Sequence, residues 1–374
     1  MRIAILGTRG IPSQYGGFEK CAEHIAVSLA ERGHEVIVYN SHNHANQKEF
    51  WKGIKIIHID DPEFKLGSFG RFLYDYRCLT DLKNHKCDII LQLGYRSSPV
   101  WKFKMPKEAI LVTIMGGLEW KRTKYNLFLR KFIVFAEKLA VSYCDNLIAD
   151  SLGIQSYLLK KFHKHSQYIP YGADIFNNTD EKILAKFQVL EFKYDLFIGS
   201  LEPENSLEMI LDGVIKAQLD RDFLVVGNHL TKNGNHLKNK YQKYAKIKFL
   251  GGIYDDTSLN NLRYYSNLYY IVQTSGGTNS LLLNAMACRC LISAQDNEFN
   301  RLILGMDALY FNTVDDITLQ MIASKKESHI FKDRLDNNVF KIENYHSWKN
   351  IGERYEYYFC DLIKNEFVTK NDYL

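Results

Sequence analysis

The sequence predicts an α/β protein built from two Rossmann-like, doubly wound domains in series, with their strand ends facing a common cleft. Three observations predict it. The 374 residues exceed one ordinary domain. Short apolar runs, many ending in glycine, alternate with helical patterns along the chain, as buried parallel strands and their crossover helices do. The alternation then starts afresh after a polar, Lys-rich stretch around residues 178–193.

Taken in order, Ile3-Ala-Ile-Leu6 reads as a first strand, closed by Gly7. A glycine-rich loop follows, Gly10 to Phe18, and then a helix over 19–32 with Cys21, Ile25 and Leu29 on one face. Gly33 stops it, and 36–39 is the next strand, which completes a βαβ unit. Further strands are expected at 54–59, 88–93, 109–114, 146–149 and from Tyr168, with helices at 69–83 and 124–143. The second set has strands at 196–199, 223–227, 247–251, 269–272 and 290–293, and helices at 206–218, 258–265 and 281–287. The tail from Trp348 to Leu362 is helical, with Trp348, Ile351, Tyr355, Tyr358 and Leu362 on one stripe. A stripe this aromatic implies packing on something large, and we expect it to cross back to the first domain. The domains are thus 1–180, 181–345 and a returning helix over 346–374.

Composition excludes several classes. With 46% hydrophobic and 24% charged residues, the chain is neither a disordered tail nor a fibre. Seven scattered cysteines, an odd number without a C-x-x-C pair, suggest reduced thiols in the cytoplasm rather than a disulfide framework or a zinc site. No run of about 18 uncharged apolar residues predicts a spanning helix. Of the net charge of +5, residues 1–180 hold 25 Lys and Arg against 18 Asp and Glu, and residues 96–138 alone hold 10 against 3. Such a local excess suggests an anionic partner. Nucleic acid is the weaker choice, since no recognised binding module is present.

Three loops could carry chemistry, because ligands of such sheets bind at the carboxyl ends of the strands. Ser275-Gly-Gly-Thr-Asn-Ser280 lies between a strand and the 281–287 helix. Its amides and the helix N-terminus suit a phosphate, although a glycine turn capped by Asn279 or Ser280 reads equally well. The first loop, Gly7 to Phe18, has neither dinucleotide nor P-loop spacing. Gly116-Gly-Leu-Glu-Trp-Lys-Arg122 puts a carboxylate, an indole and two cations at a strand end; a solvated charge cluster anchored by Trp120 is the plainer alternative. There is no metalloprotease His pattern and no nucleophile elbow. Asp220-Arg-Asp222 precedes its strand and is badly placed to hold a metal diphosphate.

Together these pieces resemble a B-type glycosyltransferase of family 4, and more narrowly a bacterial group that includes rhamnosyltransferases of capsule and exopolysaccharide synthesis. The matching segments are Gly7-Thr-Arg-Gly-Ile-Pro-Ser-Gln-Tyr-Gly-Gly-Phe-Glu19, Gly117-Leu-Glu-Trp-Lys-Arg122, Ile169-Pro-Tyr-Gly-Ala173, Leu201-Glu-Pro-Glu-Asn205, Gly276-Gly-Thr-Asn279, Asn284-Ala-Met286, Asp296-Asn297 and Phe299-Asn-Arg301. The resemblance implies a retaining, metal-independent transferase with no cofactor beyond its donor substrate, a nucleotide diphosphate hexose or deoxyhexose. The donor would lie on Gly199, Ser200, Glu204, Asn205, Gly276, Gly277, Thr278, Asn279 and Asn284. Glu119 would be the catalytic carboxylate, and Gly16, Gly17, Phe18, Trp120, Lys121 and Arg122 would line the sugar and acceptor. The acceptor would be a lipid-linked saccharide at the inner face of the cell membrane. Residues 121–138 would meet that surface, cations on headgroups and aromatics in the interface.

Against the family pattern, Ser200 replaces an Arg, Asn284 a Glu, Gly116 an Asp, and Ile271 and Gln273 histidines. Gly276 stands where the wider family has Glu, although the narrower group also has Gly. These changes leave a second reading open: a non-catalytic relative that acts as a binding or scaffolding subunit for polysaccharide-assembly proteins.

Overall fold

The computed structural model describes residues 1–371 apart from 14–15, 96–97, 122–124, 126, 145 and 273–279. The chain divides into two compact units. One gathers Met1–Lys121, Tyr125–Tyr171 and Trp348–Leu374, and the other Gly172–Ser347.

In the first unit the strands are β1 (Arg2–Leu6), β2 (Glu35–Ser41), β3 (Phe50–Trp51), β4 (Ile54–Ile59), β5 (Ile89–Leu93), β6 (Ile110–Met115), β7 (Asn146–Ala149) and β8 (Gln167–Tyr168). The helices are α1 (Gly17–Glu31), α2 (Glu63–Leu66), α3 (Ser68–Leu82), α4 (Leu127–Tyr143) and α5 (Leu152–Phe162). The sheet runs β3-β4-β2-β1-β5-β6-β7-β8, parallel throughout except for the β3–β4 hairpin. Every residue of β5 is buried, as expected of a strand covered on both faces. α1 buries Cys21, Ala22, Ile25, Ala26 and Leu29 against that sheet.

The second unit contains β9 (Tyr194–Ile198), β10 (Asp222–Val226), β11 (Ile247–Gly251), β12 (Tyr269–Ile271), β13 (Ile292–Gln295) and β14 (Leu309–Phe311). Its helices are α6 (Leu207–Ala217), α7 (Lys232–Tyr241), α8 (Asp256–Tyr264), α9 (Ser280–Ala287), α10 (Glu298–Leu304), α11 (Val314–Ala323) and α12 (Lys332–Lys341). The sheet is parallel in the order β11-β10-β9-β12-β13-β14. Asp195 is fully buried at its amino edge, accepting from Arg221 Nε (2.8 Å), Asn267 Nδ2 (3.0 Å) and Leu268 N (3.1 Å). Burial raises its pKa despite these donors. Asp220 and Asp222 are taken up by Lys246 and Lys248 beside this strand. β13 begins two residues later than the apolar run 290–293 suggests. Cys290 and Leu291 are buried without being part of the strand, because the chain has just turned through Arg289 at φ 52°.

The unit boundary falls at Tyr171/Gly172. Ala173 N donates to His346 O (2.7 Å) and Phe176 N to Ala287 O (3.2 Å), which ties 173–176 into the second unit. The final helix α13 (Trp348–Asn371) packs on α1 within the first unit, as its aromatic stripe implies. Trp348, Ile351, Tyr355 and Phe359 are buried, and Trp348 stacks on His24 with ring centroids 4.2 Å apart. Glu356 accepts from Arg32 Nε (3.1 Å) and His34 Nε2 (2.9 Å) at the rim.

Candidate functional site

Counted by chain order, both sheets have the doubly wound order 3-2-1-4-5-6, extended at the edges of the first. The order reverses between β1 and β5 in one unit and between β9 and β12 in the other. Loops that leave neighbouring strands in opposite directions at such a point open a crevice for a ligand. The first glycine loop follows β1, the 199–205 segment follows β9, and residues 273–279, which lie outside the described residues, come after β12 in the chain.

The described start of the first loop, from Gly7 to Ser13, is tightly held. Gly7 has φ +93°, and a Cβ there would lie 2.2 Å from Leu93 O at the end of β5. Arg71 Nη2 donates to Gly7 O at 2.7 Å. The buried Asn40 clamps Ile11 from both sides: it receives Ile11 N (3.0 Å) and donates from Nδ2 to Ile11 O (2.8 Å). Ser13 N donates to Glu23 Oε2 at 2.6 Å. Arg9 makes a two-pronged contact with Glu63 (Nε 3.0 Å, Nη2 2.6 Å).

Gly16 and Gly17 differ in kind. Gly16 has φ +116°, a backbone conformation that side-chain-bearing residues rarely adopt, so glycine suits it. Gly17 opens α1, and a Cβ there would meet open space. The ring of Phe18 lies across the ends of β5 and β6, 3.3 Å from a Cβ built on Gly94 and 3.2 Å from one on Gly116. The same Cβ on Gly116 would lie 3.2 Å from Asp150 Oδ2, at the end of β7. Thus where Gly116 leaves a carboxylate out, Asp150 brings one to the same edge.

Glu119 lies in a short turn over Glu119–Lys121, buried, with Tyr125 Oη 3.5 Å from Oε2. Trp120 sits between Lys121 and Lys161, each Nζ 5.6 Å from its ring. Lys161 and Tyr157 both donate to the buried Glu137 (2.9 and 2.8 Å). The structure gathers Gly16, Gly17 and Phe18 at the sheet edge, and it places Glu119 beside Tyr125 in the turn that also carries Trp120 and Lys121. Arg122 is outside the described residues.

In the second unit, Gly199 N donates to Val226 O (3.0 Å), and a Cβ on Gly227 would reach Gly199 O at 2.2 Å. Asn205 Nδ2 donates to Ser200 O (2.5 Å), so with Glu204 it shapes the turn that follows β9. Asn284 is half-buried one turn into α9, with its carbonyl accepting from Cys288 N (3.0 Å). Gly276, Gly277, Thr278 and Asn279 fall outside the described residues. Asp296 pairs with Arg301 (2.5 and 2.8 Å), and Asn297 caps α10. Among the described residues no group of three or more His, Cys, Asp or Glu side chains is placed to hold a metal ion. Nor is any described helix long and apolar enough to cross a membrane.

Sequence reasoning missed Asp150, Asn40 and Arg71. Asp150 had a readable signal: it directly follows the apolar run of β7, at the edge where the other candidate loops lie. Asn40 and Arg71 act on the loop from distant elements, and no local pattern marks them.

Two such units in tandem make the fold of the B-type glycosyltransferases. The chain is similar to sucrose-phosphate synthase from Thermosynechococcus elongatus, with 14% identity, a TM-score of 0.81, and 97% of this chain and 99% of that chain covered. It is similar to the Anabaena protein HepE in complex with UDP and glucose, at 15% identity and TM-score 0.74, covering 96% and 100%. A glycosyltransferase from Rickettsia africae matches at 15% identity and TM-score 0.69, covering 97% and 98%. The model of a domain of unknown function, DUF1972, matches residues 1–174. No curated protein matches the chain in sequence.

Proposed function

We propose that the protein is a glycosyltransferase that uses a nucleotide diphosphate sugar. The observation that carries this is the pairing of two Rossmann units whose candidate loops fall at both topological switch points. The likeness in fold to structures bound to UDP or UDP-glucose supports it. In this reading the second unit holds the donor. Amides of the 276–279 loop and the start of α9 receive the diphosphate, with Gly199, Ser200 and the Glu204-Asn205 turn beside it. As the bond from the anomeric carbon to the diphosphate breaks and one to the acceptor hydroxyl forms, these donors meet the charge on the leaving group without a metal.

The first unit takes the acceptor. In this reading the open position at Gly17 and the start of α1 take the reacting sugar, with Phe18 beside them. Two carboxylates compete for the role of positioning the acceptor hydroxyl: Glu119, enclosed beside Tyr125, and Asp150, at the strand edge against Phe18. The resemblance favours a family 4 enzyme that transfers a hexose or a rhamnose-like deoxyhexose to a lipid-linked saccharide in surface polysaccharide synthesis. Residues 121–138 would then rest on the anionic inner face of the membrane.

Calorimetry of the full chain against UDP, dTDP, GDP and ADP tests the donor site, with micromolar binding of at least one expected. Nucleotide release from the matching sugars with a lipid-linked acceptor then tests turnover. Absence of both binding and release across the panel overturns the proposal. Binding without turnover would leave the non-catalytic reading. Glu119→Gln and Asp150→Asn, compared in turnover, show which carboxylate acts.

A further inference from the structure

Beside the first glycine loop, α2 and the start of α3 form a short helical hairpin. Gly67 turns it at φ +57°. Gly70 closes it so tightly that a Cβ there would lie 2.4 Å from Glu63 Cα. The amides of Lys65 and Leu66 both reach Pro62 O at 2.9 Å. A hairpin this closed cannot fold its own apolar side chains inward. Phe64 is 83% exposed, Phe69 64% and Leu66 50%. Three large exposed apolar side chains within six residues exceed the scattered surface hydrophobics of a soluble protein.

The hairpin is continuous with a second apolar and basic surface. Phe72 of α3 meets Phe132 of α4 with ring centroids 5.1 Å apart. Along α4, Phe128, Lys131, Phe135 and Lys138 follow one another at helical spacing, all exposed. Phe128 is 89% exposed. Lys65, Lys102 and Lys121 add exposed cations. The nearby acids do not offset them. Glu63 is held by Arg9 and the exposed Asp60 by Arg77, Glu119 and Glu137 are buried, and Glu108 alone among the described acids of 98–138 faces solvent. Apolar tips in a field of unopposed cations match an anionic bilayer, whose interface takes both.

We propose that the α2–α3 hairpin is an apolar wedge that inserts into anionic lipid bilayers beside the exposed stripe of α4. This rests on the membrane-surface reading above and extends it to Phe64, Leu66 and Phe69, which lie outside residues 121–138. Through Glu63 and Arg9 the wedge is bonded directly to the glycine loop at the candidate site.

The test is co-sedimentation of the full chain with phosphatidylcholine vesicles, with and without phosphatidylglycerol. The parent binds the anionic vesicles, and Phe64→Ser/Leu66→Ser/Phe69→Ser binds at least about tenfold more weakly with an unchanged thermal melt. Lys131→Gln/Lys138→Gln weakens binding separately. A triple variant that binds like the parent overturns the wedge and leaves the membrane reading standing. A parent that binds neither vesicle overturns both, and equal binding to both vesicles overturns the anionic commitment. Emission of Phe64→Trp gives a second readout: brominated lipids quench it beyond the parent's 4 tryptophans, and an unaltered signal overturns insertion.

Discussion

The ring of Phe18 occupies the space that a side chain on Gly116 would need: a Cβ built there stands 3.2 Å from Cζ and equally close to Asp150 Oδ2. Gly116→Asp therefore crowds the aromatic ring and sets two carboxylates side by side. We expect it to destabilise the chain by about 1–3 kcal/mol, and Asp150→Asn to recover about 1 kcal/mol of that in the double variant. Urea unfolding of the four proteins of the cycle measures this. Additivity within error would show that the two side chains do not meet.

The glycine loop depends on Asn40. Asn40→Ala removes both bonds to the Ile11 backbone in a buried setting. The expected loss is about 1–3 kcal/mol. Limited proteolysis should also cut within 7–17 faster than in the parent, and an unchanged cleavage rate would mean that the loop is held by its other contacts.

Gly352 of α13 is fitted to Ser28 of α1, since a Cβ there would lie 1.9 Å from Ser28 Oγ. Gly352→Ala should cost about 1–3 kcal/mol, and Ser28→Gly should restore most of it by vacating the same space. The midpoint of denaturant unfolding reports both changes. Failure of the second substitution to rescue the first would place the strain elsewhere on the α1–α13 contact.

Lys326 is buried against Phe192 and Tyr264, and its amino group donates to Tyr264 O. Burial pushes its pKa down to about 8 from 10.5. Between those values the unfolded chain holds a proton that the folded chain has released, so stability rises with pH through this window. Below pH 8 both states are charged, and the folded one bears the cost of burying the charge. Lys326→Met should be more stable than the parent at pH 7 by roughly 2–3 kcal/mol, and the advantage should shrink by pH 10. Urea midpoints at the two pH values check the sign. A constant difference would show that the lysine does not titrate in the window.

Local pattern was enough for most of the sheets. β5 is an apolar run broken only by the buried Gln92 and bounded by Asp88 and Gly94, and it is buried along its whole length. Elements without such a signature were lost. β3 has only two residues, α2 is a single turn, and α7 is so polar that Thr231, its N-cap, is the best sign of it. The candidate loops were legible because glycine clusters at strand ends announce close backbone approach. The side chains that hold those loops were not. Asn40, Arg71 and Asp150 each reach them from another strand or helix, and the residues flanking each give no hint of it.

The sequence by itself determined that this chain forms two Rossmann units, where most of their strands lie, and which loops leave the carboxyl edges. Apolar runs and glycine stops are local properties, and they survive any rearrangement of the strands. Only the tertiary structure decided that Gly7 abuts Leu93, that Phe18 spans Gly94 and Gly116, and that α1 is the helix on which the returning last helix packs. Those contacts follow from strand order and crossover, and pairing between distant segments leaves no trace in either segment alone.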